Sequence, residues 1–239
     1  MSSLPAALWV TFAFAAASAS TDVRAWLEAA DAVRRPAGEA VVEARATGEG
    51  AAAESVAFDV YIKGRDRALI VFKSGKARGR KILSSGEKTW LLVPGSSRAI
   101  PVSANQKLAG GASFQDVARI SFSEDFTATA RPEPETIEGV ALRVFDLTAV
   151  AAKAPYPKAT LWMDAQRRPR RAIFLLASGK AAHEILFTKF VSERGRERLA
   201  EMEVRDLLRA GTRTRLEYLS WKTAQLDDAI FTPEGARGL

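Results

Sequence analysis

The chain has 239 residues, no Cys, one His and a formal charge of +7, from 35 Lys+Arg against 28 Asp+Glu. Without Cys there is neither a disulfide framework nor a thiol to carry a lipid, so the fold is expected to rest on its core and the mature chain to be soluble. The basic excess is scattered through "GKARGRK", "QRRPRR" and "RGRER", each near a turn, which reads as solvated loop charge or as attraction to anionic head groups, and not as a nucleic-acid surface in an exported protein.

Residues 1–19, "MSSLPAALWVTFAFAAASA", contain no charged side chain and end in an A-x-A pattern at Ala17 and Ala19. This is the pattern of a cleavable secretory signal. The apolar run falls short of the about 20 residues that span a bilayer. The expected organisation is a signal peptide over 1–19 and a single domain over 20–239, in an extracytoplasmic compartment. Ser20 or Thr21 can cap a helix, after which Val23, Trp26, Leu27, Ala30 and Val33 recur at helical spacing until Pro36 and Gly38.

After Gly38 the period changes to two. "AVVEARAT" reads as a weak strand, and "SVAFDVYIK" sets Val56, Phe58, Val60 and Ile62 on one face. "RALIVFK" sends Ala68, Ile70 and Phe72 one way and Leu69 and Val71 the other. "GRKILSSGEKTWLLVPGSSRAIPVS" then reads as strand, turn, strand, turn, strand, with Trp90 in mid-strand. The pattern stops between Asn105 and Arg119, where Ser113 with Asp116 three residues later predicts a short helix or helical turn. Strands resume in "VALRVFDLTAV", "KATLWMDA", "RRAIFLLA", "AHEILFTKFV", "RLAEMEVRDL" and "TRTRLEYLSWKTA", and the tail "DDAIFTPEGARGL" reads as short and irregular.

The expected fold is mainly β (α+β): one curved antiparallel sheet of about ten or eleven strands, an incomplete barrel with one N-terminal helix and a short helical lid. No residue set suggests catalysis. The lone His183 lies in a strand, no His/Cys/Asp/Glu cluster has metal-ligand spacing, and neither a nucleophile elbow nor a phosphate loop occurs. The reading is therefore a non-enzyme with no metal and no cofactor. Large apolar side chains are what the strands do carry, and a curled sheet with few helices leaves room for an apolar cavity.

Three stretches carry a family resemblance: "GRKILSSGEKTWLLVPGSSRAIPVS", "GGASFQDVARISFSEDF" and "GTRTRLEYLSWKTAQLDDAIFTPEGARGL". In this order they resemble the outer-membrane lipoprotein-sorting proteins, the LolA/LolB-like periplasmic carriers, from about Val41 to the C-terminus. The resemblance implies a half-barrel around an apolar cavity that receives lipoprotein acyl chains or related lipids and carries them across the periplasm. Together with strand alternation it makes Phe58, Phe72, Trp90, Leu92, Trp162 and Trp221 the expected cavity wall, and Trp26, Val33 and Phe114 the lid contacts. It implies an inner-membrane export complex or permease as donor and transient membrane contact; the absence of coiled-coil and Cys signals makes a monomer the expected state. It also implies an Arg that ties the lid to an early strand, and Arg45 lies in that region. The other reading open at this stage is an envelope regulatory module of the same fold that binds a protein partner.

Overall fold

The computed structural model describes residues 16–35, 38–49, 54–103, 107–109, 111–152, 154–193, 195–209 and 211–239. Their strands are β1 (Ala40–Glu49), β2 (Ser55–Lys63), β3 (Arg67–Phe72), β4 (Lys81–Ser85), β5 (Lys88–Leu92), β6 (Ala99–Pro101), β7 (Lys107–Ala109), β8 (Ala112–Ser113), β9 (Phe126–Ala130), β10 (Glu135–Ile137), β11 (Val140–Ala149), β12 (Lys158–Met163), β13 (Pro169–Leu175), β14 (Ala181–Glu193), β15 (Arg196–Asp206) and β16 (Arg213–Thr223). Three helices accompany them: α1 (Ala16–Ala32), α2 (Phe122–Asp125) and α3 (Pro233–Arg237). No helix among the described residues is long and apolar enough to cross a membrane.

Fourteen strands form one antiparallel sheet in the order β10-β11-β12-β13-β14-β15-β16-β1-β2-β3-β4-β5-β6, with β9 beside β11. The sheet does not close, so the expected incomplete barrel is what the chain forms. The strand count exceeds the expected ten or eleven because β7, β8, β9 and β10 are two to five residues long. So short a segment shows too few alternations for a period to register. The helix expected from Ser20 or Thr21 instead begins at Ala16 and runs through both residues, so neither is its cap. Of the signal-peptide stretch, residues 1–15 lie outside the described residues and Ala16–Ala19 open α1.

Both faces of the sheet are covered. On the inner face lies a continuous core from Val42, Phe58, Phe72, Phe145, Phe174 and Phe187, with Trp26 of α1 and Phe114 and Phe122 above it. Phe58 faces Phe72 across the β2–β3 pair, their ring centroids 6.1 Å apart. Burying an aromatic of this size stabilises by up to about 3 kcal/mol.

On the outer face the C-terminal tail packs over Leu69, Val71, Leu83 and Leu92. The tail is not irregular. Asp227 accepts a hydrogen bond from the Ala229 amide at 2.9 Å and starts a helical turn over Asp228–Phe231. Thr232 then caps α3 through the Gly235 amide at 3.1 Å, with Pro233 in the first turn. Gly235 passes so close that an added Cβ would lie 2.0 Å from the Ala229 carbonyl oxygen. Phe231 is buried under this tail, and Lys81 donates to the carbonyls of Ala236 and Arg237 at 2.7 and 3.1 Å.

Candidate functional site

The chain between β6 and β9 crosses the inner face as a lid. Its first part docks on the ends of β15 and β16: the Gly111 amide donates to Thr214 Oγ1 at 2.7 Å, and Lys107 reaches Asp206 at 3.3 Å. Ser113 and Asp116 then form the capping pair that their spacing predicts. Asp116 Oδ2 accepts from the Ser113 amide and hydroxyl, each at 2.7 Å, and Gln115–Arg119 form a wide helical turn.

Further polar side chains fasten this lid to other elements. Asp31, near the end of α1, accepts from the Ser121 hydroxyl, the Phe122 amide, the Ser123 amide and the Ser123 hydroxyl, all at 2.8 Å. A buried carboxylate so placed satisfies the open amides at the start of α2. Arg34 donates to the carbonyls of Ile120 and Asp116 at 3.3 and 3.4 Å and lies over the rings of Phe122 and Phe187 at 5.0 and 5.5 Å. Burial beneath the lid lowers its pKa, opposed by the nearby Asp31. Arg119 ties the far side of the lid to the β4–β5 hairpin, through Ser84 Oγ at 2.8 Å and the Gly86 carbonyl at 2.9 Å. Asp116, fully buried, also lies 3.5 Å from Nδ1 of His183 on β14.

Beneath the lid the surface is aromatic. Phe122 stacks on Phe174 at 6.4 Å and meets Phe187 edge-on at 6.5 Å; Tyr156 lies 5.4 Å from Phe174 and 5.6 Å from His183. Burial pushes the Tyr156 hydroxyl well above its ordinary pKa and that of Tyr218 up to about 12, so both stay neutral. Among the described residues no group of three His, Cys, Asp or Glu could hold a metal ion. Two clefts flank α2. The larger, about 740 Å³, lies between the end of α1, the β2–β3 turn, the β12–β13 turn and the start of β15. The smaller, about 460 Å³, lies between α2 and the loop before β12.

The nine residues named from sequence separate into two sets. Phe58, Phe72, Trp26 and Phe114 are buried in the inner core, Trp221 packs half-buried against its margin, and Val33 forms part of the wall of the larger cleft. Trp90, Leu92 and Trp162 point the other way. Trp90 and Leu92 belong to the cluster beneath the C-terminal tail. Trp162 packs with Leu142 and Val144 on the outer face, donates to Glu135 at 2.7 Å and lies 4.9 Å under the Arg171 guanidinium. The correction has a simple cause. On β5 Trp90 and Leu92 stand opposite Leu91, so both faces carry apolar groups and alternation does not say which is inside; on β12 Trp162 shares its face with Lys158 and Thr160, opposite Ala159, Leu161 and Met163, which enter the inner core. Arg45 is exposed on β1, whereas Arg34, just past α1, donates to the lid and Arg65 pairs with Glu124 of α2. Asp31 and Arg34 were not visible as functional in the sequence because their partners lie more than eighty residues away. The only local signal was the acid-capped start of α2 in "SFSED".

Comparison with solved structures finds the same fold. A LolA superfamily protein from Nitrosomonas europaea is 27% identical, with a TM-score of 0.79 over 87% of this chain and 96% of that chain. A DUF1329 family protein from Desulfovibrio piger superposes with a TM-score of 0.75 at 18% identity, over 90% of this chain and 96% of that chain. An outer membrane lipoprotein-sorting protein domain from Vibrio parahaemolyticus gives a TM-score of 0.75 at 16% identity, over 90% and 97%. No curated protein matches the chain. A family model whose description reads "Uncharacterized protein" matches residues 64–235. The chain therefore belongs to that family, and its half-barrel is the LolA-like fold of the outer-membrane lipoprotein-sorting proteins.

Proposed function

We propose that the protein is a periplasmic carrier that shields the acyl chains of lipoproteins or other lipids between the inner face of the half-barrel and its lid, and delivers them toward the outer membrane. On this reading residues 1–19 are removed on export, the mature chain of residues 20–239 works as one domain, and an inner-membrane complex or permease supplies the cargo. The observation that carries the reading is the pairing of an aromatic inner face with a cover held by polar side chains. Hydrogen bonds can be exchanged for water when the lid lifts, whereas the apolar floor then needs another apolar partner. Phe58, Phe72, Trp26 and Phe114 are the proposed wall and lid contacts. Acyl chains in their place would contribute about 0.8 kcal/mol for each buried CH₂. No step of this function needs a catalytic group, a metal or a cofactor.

The test is to purify the mature protein from its native envelope and analyse extracted small molecules by mass spectrometry. Stoichiometric lipid or acylated peptide is the expected result, and Phe58→Ala or Phe114→Ala should reduce its retention in folded protein. A folded protein that never carries lipid would overturn the reading. One observation favours a second one, an envelope module that binds a protein partner: side chains fill the inner face in the closed form, with Phe114, Phe122, Phe174 and Phe187 all fully buried. Partner capture that weakens steeply with salt, from a lipid-free protein, would select it.

A further inference from the structure

Antiparallel pairing sorts the turns of the sheet into two ends. The β2–β3, β12–β13 and β14–β15 turns, and the chain between α1 and β1, all fall at the same end. Two of the three basic stretches, "QRRPRR" and "RGRER", are thereby brought together with Arg35 and Arg65, while "GKARGRK" goes to the opposite end. The larger cleft opens among them. Arg35, Arg65, Arg167, Arg196 and Arg198 line it, against three carboxylates.

Those three carboxylates are already engaged. Asp31 is taken by its four donors in 121–123, Glu124 by Arg65, and Glu197 by Arg168 at 3.1 Å. Arg196 pairs with no carboxylate among the described residues. Arg198 is fixed by the carbonyls of Ala32 and Arg35 at 3.2 and 2.9 Å and lies 5.5 Å over the Trp221 ring. Burial, and then repulsion from Arg196, lowers the Arg198 pKa, a strain that a bound anion would relieve.

Arg167 is held with equal specificity. Asp164 accepts from the Gln166 and Arg168 amides at 3.1 and 3.0 Å, and the turn so built holds Arg167 at φ 60°. That left-handed conformation disfavours any residue with a Cβ. It sets the Arg167 guanidinium 5.3 Å from the Trp26 ring centroid, at the cleft. Ala29, Ala32 and Val33 add apolar lining to the same cleft. A cleft lined by both guanidinium groups and small apolar groups fits an amphiphile better than it fits a free ion.

We propose that this arginine-lined cleft binds the phosphate of an anionic lipid headgroup, holding it in solvent at the end of the half-barrel while the chains pass beneath the lid. The proposal rests on the carrier reading and adds selection by headgroup charge. Titration of the full mature chain with three probes tests it: short-chain phosphatidylglycerol, the uncharged diacylglycerol of the same chains, and inorganic phosphate. The charged lipid should bind about tenfold more tightly than the uncharged one, the contribution of charge-assisted contacts at a half-buried site. Arg196→Gln and Arg167→Gly should each remove most of that preference and leave diacylglycerol binding unchanged. Glycine suits φ 60° and Arg196 is exposed, so both variants should keep their Tm. Equal binding of charged and uncharged lipid would overturn the headgroup site and leave the carrier standing. Phosphate binding with no dependence on the chains would make the cleft a simple anion site and overturn the lipid assignment. Failure of both lipids to bind would remove the carrier reading itself, and selective capture of an acidic protein by the cleft would replace it.

Discussion

One sheet carries two covers; each buries aromatic side chains, Phe231 in the tail and Phe114 and Phe122 in the lid, and they differ in where their charged fastenings lie. The tail on the outer face is anchored by an apolar plug, Phe231 over Leu69, Leu83 and Leu92, and its ion pairs lie in solvent: Asp228, 69% exposed, meets Lys63 and Arg67 at 2.7 Å each. The lid on the inner face buries its polar fastenings, with Asp116 fully buried and Asp31 only 9% exposed. Exposed pairs contribute little to stability, whereas removing one partner of a buried, fully bonded carboxylate leaves donors without acceptors. The tail is thus built as a permanent plug. The lid balances a desolvation penalty against a set of well-made hydrogen bonds.

The comparison can be broken by truncating each anchor. Phe231→Ala should cost about 3–4 kcal/mol in urea unfolding, from lost burial plus the cavity left behind. It should leave lipid exchange at the other face unchanged. Asp31→Ala should cost less, about 2–3 kcal/mol, because the freed Ser121 and Ser123 hydroxyls can turn to water. It should also speed lipid exchange, measured by transfer of a fluorescent lipid. Equal acceleration by both variants would show that the two covers are not independent.

The smallest effect is that of pH on the tail. The Leu226 amide and Lys63 hold the Glu39 carboxyl below its ordinary pKa, and Lys63 and Arg67 do the same for Asp228. A depressed carboxylate stabilises above its unfolded pKa, about 4, and that contribution disappears as pH falls through the lower folded value. The protection of the amides of residues 226–236 against hydrogen exchange should therefore fall below pH of about 4, and Asp228→Asn should already lower it at neutral pH without changing the lid. Protection that is flat across that range would place the tail's stability in Phe231 alone.

Much of this was legible along the chain. The strand carrying Phe58 runs Ser55–Lys63, as its alternation requires, and the Ser113–Asp116 spacing forms the capping pair it predicts. Trp90 shows the limit. Its strand was readable and its face was not, because Leu91 and Leu92 are both apolar and a strand with two apolar faces fits a sheet covered on both sides. Trp162 differs: it shares its face of β12 with Lys158 and Thr160, opposite the core set Ala159, Leu161 and Met163, and its indole N–H donates to Glu135 on the outer face.

The sequence by itself determined the period-two strands, the turns between them, the short lid and the resemblance carried by three stretches in order. These are local properties, set within a few residues by side-chain alternation and by Gly, Pro, Ser and Asp at the turns. Tertiary structure alone decided which face is inner, that Asp31 fastens a lid ninety residues away, and that arginines from separate turns line one cleft. The reason is physical: alternation and capping act between near neighbours, whereas burial and charge depend on whatever the folded sheet brings alongside.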